Sequence, residues 1–207
     1  MPADMTPERE IRAEYDRDSI IVYQAYGKEI ALPAIQQQRF VPPFSLNRMT
    51  WIKPSFLWMM ERCGWGQKSG QEYVLAVRIT RQGWEEALSH AVLTSFEKKV
   101  YRDVEEWEAQ KQQALVHVQW DPERTIHGQK LPYRSIQVGL SRHISERYVN
   151  EWALEIRNVT PLVKKIDALR KAGETARAKD LLPTERVYPL PLAIAQRLGM
   201  LSSGARA

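Results

Sequence analysis

The chain has 207 residues, of which 43% are hydrophobic and 27% charged, with a formal net charge of +5. This length accommodates one domain with a hydrophobic core, and no apolar run approaches the roughly 20 residues that span a bilayer. We therefore expect a single domain over residues 1–207 that does not enter a membrane.

The first predicted elements are a strand, a helix, a loop and a second helix. Residues 19–26 are rich in β-branched and aromatic side chains, which predicts a buried strand with one prominent polar residue, Gln24. Apolar side chains on a helical repeat predict a short helix over 28–39. The proline-rich residues 40–45 are predicted to form a loop, and a Pro-Ser pair then predicts a helix over 54–63.

Residues 47–66 combine three tryptophans with several cations, which is unusual for a pure core segment. Arg48 and Lys53 flank Trp51 within this short stretch. Aromatic faces beside fixed cations suit a planar, anionic ligand such as a nucleotide. The alternative is that the aromatic residues anchor a helix in the core.

The middle of the chain predicts a central strand, two helices and a second strand. Residues 72–80 form a near-continuous apolar run, which is typical of a strand covered on both faces. Residues 82–91 and 103–113 are amphipathic and predict helices that pack on the sheet. Residues 114–120 alternate between polar and apolar side chains, which predicts a strand with one covered face.

A turn, two strands and a helix are predicted next. An Asp-Pro pair favours a turn, so residues 120–124 are predicted to end the preceding strand. Residues 133–141 predict a strand that carries Gln137. A helix over 144–151 and a closing strand over 152–159 follow.

The C-terminal quarter of the chain is basic. Residues 161–207 contain nine Lys and Arg against four acids, which accounts for the whole net charge of +5. Thr160 is predicted to cap a helix whose first residue is Pro161. A basic helical segment can lie along phosphates, although a solvated helical face is the alternative. The candidate nucleic-acid contacts are Lys164, Lys165, Arg170 and Lys171.

Several common sites are absent from the sequence. It contains no Gly-rich phosphate loop, no Gly-x-Ser-x-Gly motif and no His-Glu-x-x-His motif. Cys63 is the only cysteine and the four histidines lack metal-ligand spacing, so we expect neither an intramolecular disulfide nor a metal site. The first ten residues lack the basic and apolar regions of a signal peptide, which predicts a cytoplasmic protein.

The predicted elements give an α+β fold class. About five strands are interspersed irregularly with short helices, which argues against a doubly wound parallel sheet. The expected core covers about residues 8–160, and the basic helical segment covers residues 161–207.

Five short motifs together resemble a known family, the one catalogued as domain of unknown function 4291. The resemblance extends over about residues 8 to 195, and the family name carries no activity. The motifs are VYQAY at 22–26, RFVPPF at 39–44, RMTWIKPSFLWMM at 48–60, WDPER at 120–124 and YRSIQ at 133–137.

The order of elements is also similar to that of ADP-ribosyltransferases, especially those that modify DNA bases. This resemblance implies a mostly antiparallel, split and twisted sheet of about five to six strands, NAD as cofactor, and transfer of ADP-ribose to nucleic acid or protein. It places Gln24 at the polar position of the first strand and residues 50–60 at the aromatic helix start beside nicotinamide. Gln137 matches the catalytic glutamate position, a departure because an amide supplies no negative charge to an oxocarbenium-like ribose.

Residue types and this resemblance together define a candidate site. Arg48 and Lys53 are expected to pair with a pyrophosphate, assisted by the helix N-terminus and the hydroxyl group of Ser55. At most one of Tyr23 and Tyr26 is expected to line the pocket. The candidate catalytic residues are Gln137 and Arg48, and the candidate cofactor-binding residues are Tyr23, Gln24, Tyr26, Thr50, Trp51, Lys53 and Ser55.

Two other functions stay open on the sequence alone. A non-catalytic module would bind nucleotides or nucleic acid through its basic segment and the aromatic residues around Trp51, with an affinity that falls steeply as salt increases. A structural or partner-binding domain would bury Trp51 and Trp58 fully. In that case hydrogen bonds inside the sheet would satisfy Gln24 and Gln137.

Overall fold

Two main β-sheets organise residues 6–200, the part of the chain that the computed structural model describes. The final seven residues of the predicted basic segment, 201–207, and residues 1–5 lie outside that part. The strands are β1 (Arg12–Ala13), β2 (Ser19–Tyr26), β3 (Thr50–Ile52), β4 (Tyr73–Thr80), β5 (Ala91–Leu93), β6 (Val116–Arg124), β7 (Lys130–Leu140), β8 (Ala153–Asn158) and β9 (Arg186–Val187). The helices are α1 (Lys28–Gln37), α2 (Phe56–Cys63), α3 (Arg81–Ser89), α4 (Val104–Gln112), α5 (Arg142–Arg147), α6 (Thr160–Lys171), α7 (Thr175–Asp180) and α8 (Leu192–Arg197), with a π-helical turn at Tyr148–Trp152.

The smaller main sheet has the strand order β2-β4-β8, and the larger has the order β3-β7-β6-β5. Neighbouring strands are antiparallel except for the parallel pair of β5 and β6. These antiparallel and mixed sheets with their helices confirm the α+β class. The number of strands exceeds the predicted five to six because β1, β3, β5 and β9 have only two or three residues each, too few to show a periodicity.

A backbone bridge joins the two main sheets. The backbone N–H of Tyr23 in β2 donates to the carbonyl oxygen of Lys53 at 2.7 Å, and the N–H of Lys53 donates back to Tyr23 at 3.3 Å. The bridge holds the residue that follows β3 against the edge of the smaller sheet. The segment between β3 and α2 therefore lies where both sheets meet.

The predicted turn at residues 120–124 is wrong, because β6 continues through Arg124 and pairs with β7 along this stretch. Pro122 is tolerated because β5 pairs with β6 only opposite Val116–Val118, so the missing N–H disrupts no bond to β5. A register shift between Pro122 and Arg124 accommodates the irregularity. The continued strand places Asp121 opposite Ser135 of β7.

The helices follow the predicted positions with three differences. Residue Ala91 begins β5 and does not extend α3. In α4 no residue is fully buried, and Nε1 of Trp107 donates to the Leu93 carbonyl at 2.8 Å. The hydroxyl group of Thr160 does not cap α6; it accepts the backbone N–H of Val74 at 2.9 Å and so ties the start of α6 to β4.

Close packing of α3 against the π-helical turn depends on a glycine. A Cβ atom placed on Gly83 would come within 2.3 Å of Cγ of Trp152, whose side chain is 3% exposed. The indole ring therefore occupies the space that any larger residue at position 83 would need. Across residues 6–200, no helix combines the length and the hydropathy that crossing a membrane requires.

Candidate functional site

A cleft of about 610 Å³ opens beside the bridge between the two sheets. Side chains from β2, from the β3–α2 segment and from the paired strands β6 and β7 line it. The fold brings together seven of the nine predicted catalytic and cofactor-binding residues at this cleft: Gln24, Tyr26, Arg48, Thr50, Trp51, Lys53 and Gln137.

A carboxylate that the sequence analysis did not select lies on the floor of the cleft. Gln119 in β6 pairs directly with Gln137 in β7, and Asp121 follows two residues later on the same face. The carboxylate of Asp121 accepts Nε2 of Gln119 at 2.8 Å and Nε2 of Gln137 at 2.7 Å. Two amide donors on neighbouring strands therefore orient both of its oxygens.

Asp121 was not selected as a site residue because the sequence predicts a turn at residues 120–124. The available signal was the alternation of β6 itself, since continuing the polar positions 117 and 119 by one more step reaches 121. The Asp-Pro pair outweighed that signal in the sequence analysis.

Lys53 is the most buried charged residue of the cleft. It is 4% exposed, and within residues 6–200 its ammonium group makes neither a hydrogen bond nor an ion pair. Burial, reinforced by the nearby charge of Arg62, lowers the pKa of Lys53 from 10.5 to about 8, against an opposing effect of Asp121. The lysine is therefore an unpartnered cation held in a solvent-poor position.

The indole ring of Trp51 lies over β7 because residue 139 is a glycine. Trp51 pairs with Gly139 across β3 and β7, and a Cβ atom at position 139 would lie 3.0 Å from two indole carbons. Trp51 is half-buried, so the ring remains available to the cleft. Trp58 also lines the cleft but is buried, with 8% of its surface exposed, so Trp51 is the more accessible of the two rings.

Gln24 belongs to a buried hydrogen-bond chain. Its Oε1 accepts the hydroxyl group of Tyr148 at 2.5 Å, and its Nε2 donates to the hydroxyl oxygen of Tyr26 at 2.7 Å. Gln24 is 2% exposed, and burial raises the pKa of Tyr26. The amide is therefore held by two phenols, with one N–H left to donate.

Two arginines add positive charge near the mouth of the cleft. Arg48 and Arg62 are both exposed, and both line the cleft together with Lys53. The charge of Arg48 opposes the rise in the pKa of Tyr26, while Arg62 contributes to the lowered pKa of Lys53. Among the described residues that line the cleft, three cations accompany one carboxylate, that of Asp121, so the cleft favours anions.

Two predicted cofactor-binding residues lie outside the cleft. Tyr23 points to the opposite face of β2, where its ring packs edge-on against Phe56 with centroids 5.5 Å apart. Ser55 lines a second cavity of about 520 Å³.

The predicted anion site at the start of α2 is occupied by the chain itself. The hydroxyl oxygen of Ser55 accepts the backbone N–H of Trp58 at 3.2 Å, and the carboxylate of Glu185 accepts that of Phe56 at 2.6 Å. Burial raises the pKa of Glu185 to about 8. The helix amides therefore do not supply the phosphate contacts that the sequence suggested.

The four candidate nucleic-acid contacts of α6 do not line this cleft. The carboxylate of Asp167 binds Nη2 of Arg170 at 2.6 Å and Nζ of Lys171 at 2.7 Å, and Arg170 lies 4.5 Å from the ring centroid of Trp65. Lys164 and Lys165 are exposed. Asp167 therefore neutralises part of the charge that the sequence assigned to phosphate binding.

No group of three or more His, Cys, Asp or Glu side chains within the described range 6–200 is arranged to hold a metal ion. The cleft offers cations, amides and one carboxylate instead. These groups can bind an anion, hydrogen-bond hydroxyl groups and stack on a planar ring.

A comparison with family models matches residues 10–188 to the model described as Domain of unknown function (DUF4291). No curated protein matches the chain.

Proposed function

We propose that the cleft binds a nucleotide. The chain belongs to the DUF4291 family, whose description names no activity. NAD is the expected ligand, and transfer of ADP-ribose to nucleic acid or protein is the expected reaction. The observation that carries the proposal is the convergence of a buried lysine, an indole ring and an oriented carboxylate in one cleft of about 610 Å³. This volume lies within the range of about 300–1,000 Å³ that is typical of small-molecule sites.

The cations and the indole ring account for binding. Arg48 and Arg62 can pair with a pyrophosphate at the mouth, while Lys53 contributes a point charge deeper in the cleft. Trp51 offers a planar face to adenine or nicotinamide. These groups suit a ligand in which anionic groups are linked to planar aromatic rings.

The carboxylate of Asp121 accounts for catalysis. Cleavage of the bond to nicotinamide develops positive charge on the ribose, and a fixed carboxylate stabilises that charge. Gln137, which has no charge, acts as a positioning residue because its Nε2 holds Asp121 at 2.7 Å. In this proposal the acid that Gln137 cannot provide comes from the neighbouring strand.

Calorimetric titration with NAD, with ADP-ribose and AMP run alongside, tests the binding step. We expect micromolar binding of NAD that Lys53→Ala or Arg48→Ala abolishes without lowering the melting temperature by more than a few degrees. Lys164→Ala is the matched control, because it removes an exposed lysine that does not line the cleft. Absence of heat with NAD, or unchanged affinity in both cleft variants, would contradict the proposal.

Release of nicotinamide from NAD tests the catalytic step. We expect Asp121→Asn to retain NAD binding and to lose turnover by about 10²-fold or more, the size of effect found when one electrostatic stabiliser is removed. Gln137→Leu should reduce turnover less, because the carboxylate keeps its bond to Gln119. Binding without turnover in the parent protein would leave a nucleotide-binding module in place of an enzyme.

A further inference from the structure

Lys53 has the placement of a reactive amine. Its side chain is 4% exposed yet lines the cleft, so the amine faces space that a small ligand can enter. The backbone bridge to Tyr23 fixes its position, and its neighbours Ile52 and Pro54 are both buried. A lysine that is anchored on both sides and has no carboxylate partner among residues 6–200 is organised differently from a structural ion pair.

The surroundings of the amine favour its neutral, nucleophilic form. Desolvation and a neighbouring cation are the two conditions that activate lysines for covalent catalysis, and Lys53 has both through its burial and Arg62. With a pKa of about 8, roughly a tenth of the molecules carry a neutral amine at pH 7. An ordinary exposed lysine is neutral in fewer than about one molecule in a thousand at that pH.

The mouth of the cleft selects the charge of the reactant. The guanidinium groups of Arg48 and Arg62 line the same cleft as the amine and are both exposed. Guanidinium groups bind phosphate and carboxylate oxygens in a bidentate manner. A molecule whose anionic group rests on these arginines extends into the cleft towards Lys53.

We propose that Lys53 forms an imine with an aldehyde or ketone that carries a phosphate or carboxylate group. This chemistry uses the cleft differently from nucleotide binding and does not rest on the function proposed above. NAD carries no aldehyde or ketone group, so NAD binding and imine formation are tested by different reactants.

The reaction balances without an oxidant or a reductant. The lone pair of Nζ forms a bond to the carbonyl carbon, and the carbonyl electrons pass to its oxygen, which takes up a proton. The resulting carbinolamine then loses the oxygen as water, and the C=N bond forms. Proton exchange with water completes both steps.

Trapping with pyridoxal 5′-phosphate and borohydride tests the proposal on the intact protein. The aldehyde of this probe forms the imine, hydride reduces it to a stable secondary amine, and peptide mapping locates the adduct. We expect Lys53 to be labelled at least tenfold faster at pH 7 than the exposed Lys164 and Lys165. We also expect its labelling rate to level off near pH 8, while that of an ordinary amine keeps increasing towards about pH 10.

Two matched comparisons separate this chemistry from general lysine reactivity. Lys53→Arg keeps the cation and should abolish only the fast adduct, whereas Lys165→Arg should leave it intact. Pyridoxal, which lacks the phosphate, should react more slowly than pyridoxal 5′-phosphate, and the double variant Arg48→Gln/Arg62→Gln should remove this preference. Labelling of Lys53 no faster than that of Lys164 would overturn the proposal, as would a fast adduct that survives in Lys53→Arg.

The outcomes also distinguish the two proposals. A fast Lys53 adduct in a protein that binds no NAD would contradict only the nucleotide proposal. Binding of NAD without a fast adduct would contradict only the imine proposal. If added NAD protects Lys53 from labelling by pyridoxal 5′-phosphate, the result would support both proposals, because NAD and the aldehyde would then occupy the same cleft.

Discussion

Nε2 of Gln137 lies 2.7 Å from Oδ2 of Asp121, so a neutral amide on β7 holds a carboxylate on β6. Replacing that amide by a second carboxylate, Gln137→Glu, would place two like charges within hydrogen-bond distance. We expect the variant to lose about 1–3 kcal/mol of stability at pH 7, because one of the two acids must ionise beside the other.

The loss of stability in Gln137→Glu should depend on pH, because it requires both carboxyl groups to be ionised. Repulsion between the two carboxylates disfavours ionising both in the folded state, so the loss is largest at neutral pH and shrinks as the pH falls through about 4, where the same acids become protonated in the unfolded chain. Chemical denaturation at pH 4 and pH 7 measures the difference. Gln113→Glu, at an exposed position, is the control. An equal loss at both pH values would show that the cause is not charge repulsion.

Lys53 is expected to destabilise the folded protein at neutral pH. Its pKa is about 8 when folded and 10.5 as the ordinary value, so between these values the unfolded chain binds a proton that the folded chain does not. Stability therefore increases as the pH rises through this interval. Lys53→Met removes the effect and should be more stable than the parent at pH 7 by up to about 3 kcal/mol, with the difference shrinking towards pH 10.

Denaturation curves at pH 7, 8.5 and 10 measure this trend for the parent and the variant. Lys164→Met, which replaces an exposed lysine, should show no such change in its difference from the parent. A constant difference for Lys53→Met at all three values would contradict the lowered pKa.

Gly139→Ala is expected to weaken binding by displacing Trp51 and Met49, the two side chains that lie closest to the position of the new Cβ atom. In Gly139→Ala the new Cβ would lie 3.0 Å from the indole, so the ring must move away from β7. If the cleft binds a nucleotide, its affinity should fall about tenfold, which corresponds to about 1.4 kcal/mol. In a Trp51→Ala background the same change should cost less, because only the contact with Met49 remains. Calorimetry on the parent, the two single variants and the double variant measures the coupling between positions 51 and 139. Additive losses of affinity would show that Gly139 does not act through Trp51.

Gly83 should tolerate no larger side chain, although it lies within a helix where alanine is normally favoured by about 1 kcal/mol. The Cβ atom of Gly83→Ala would overlap the indole of Trp152 at 2.3 Å. We expect a loss of about 1–3 kcal/mol, the usual cost of overpacking. Melting temperatures of Gly83→Ala in the parent and in a Trp152→Leu background test this cause, since the smaller side chain should reduce the penalty. A stabilised Gly83→Ala would show that helix propensity outweighs the contact.

The longer secondary-structure elements could be predicted from sequence because each spans enough residues to show a periodicity of apolar and polar side chains. Residues 19–26 and 72–80 were predicted as strands, and β2 and β4 occupy nearly the same ranges, with β4 central between β2 and β8. The two- and three-residue strands could not be predicted, since their backbone pairing comes from distant partners such as β7 for β3. Local sequence does not encode those partners.

The candidate cleft was predicted in part. Composition around Trp51 indicated cations beside aromatic rings, and those residues do lie together. The start of α2 was expected to bind phosphate, but Glu185, 129 residues away from Phe56 along the chain, occupies it. Asp121 was missed because a local Asp-Pro preference conflicted with a strand that continues only through pairing with β7.

By itself, the sequence of this protein determined its α+β class, its longer strands and helices, and the concentration of aromatic and cationic residues around Trp51. These properties depend on side-chain periodicity and composition, which act over a few neighbouring residues. Only the tertiary structure decided that Gln24, Lys53, Asp121 and Gln137 share one cleft, and that Tyr23 and Ser55 do not. Strand register and the bridge between the sheets set those positions, and both arise from contacts between residues far apart in the chain.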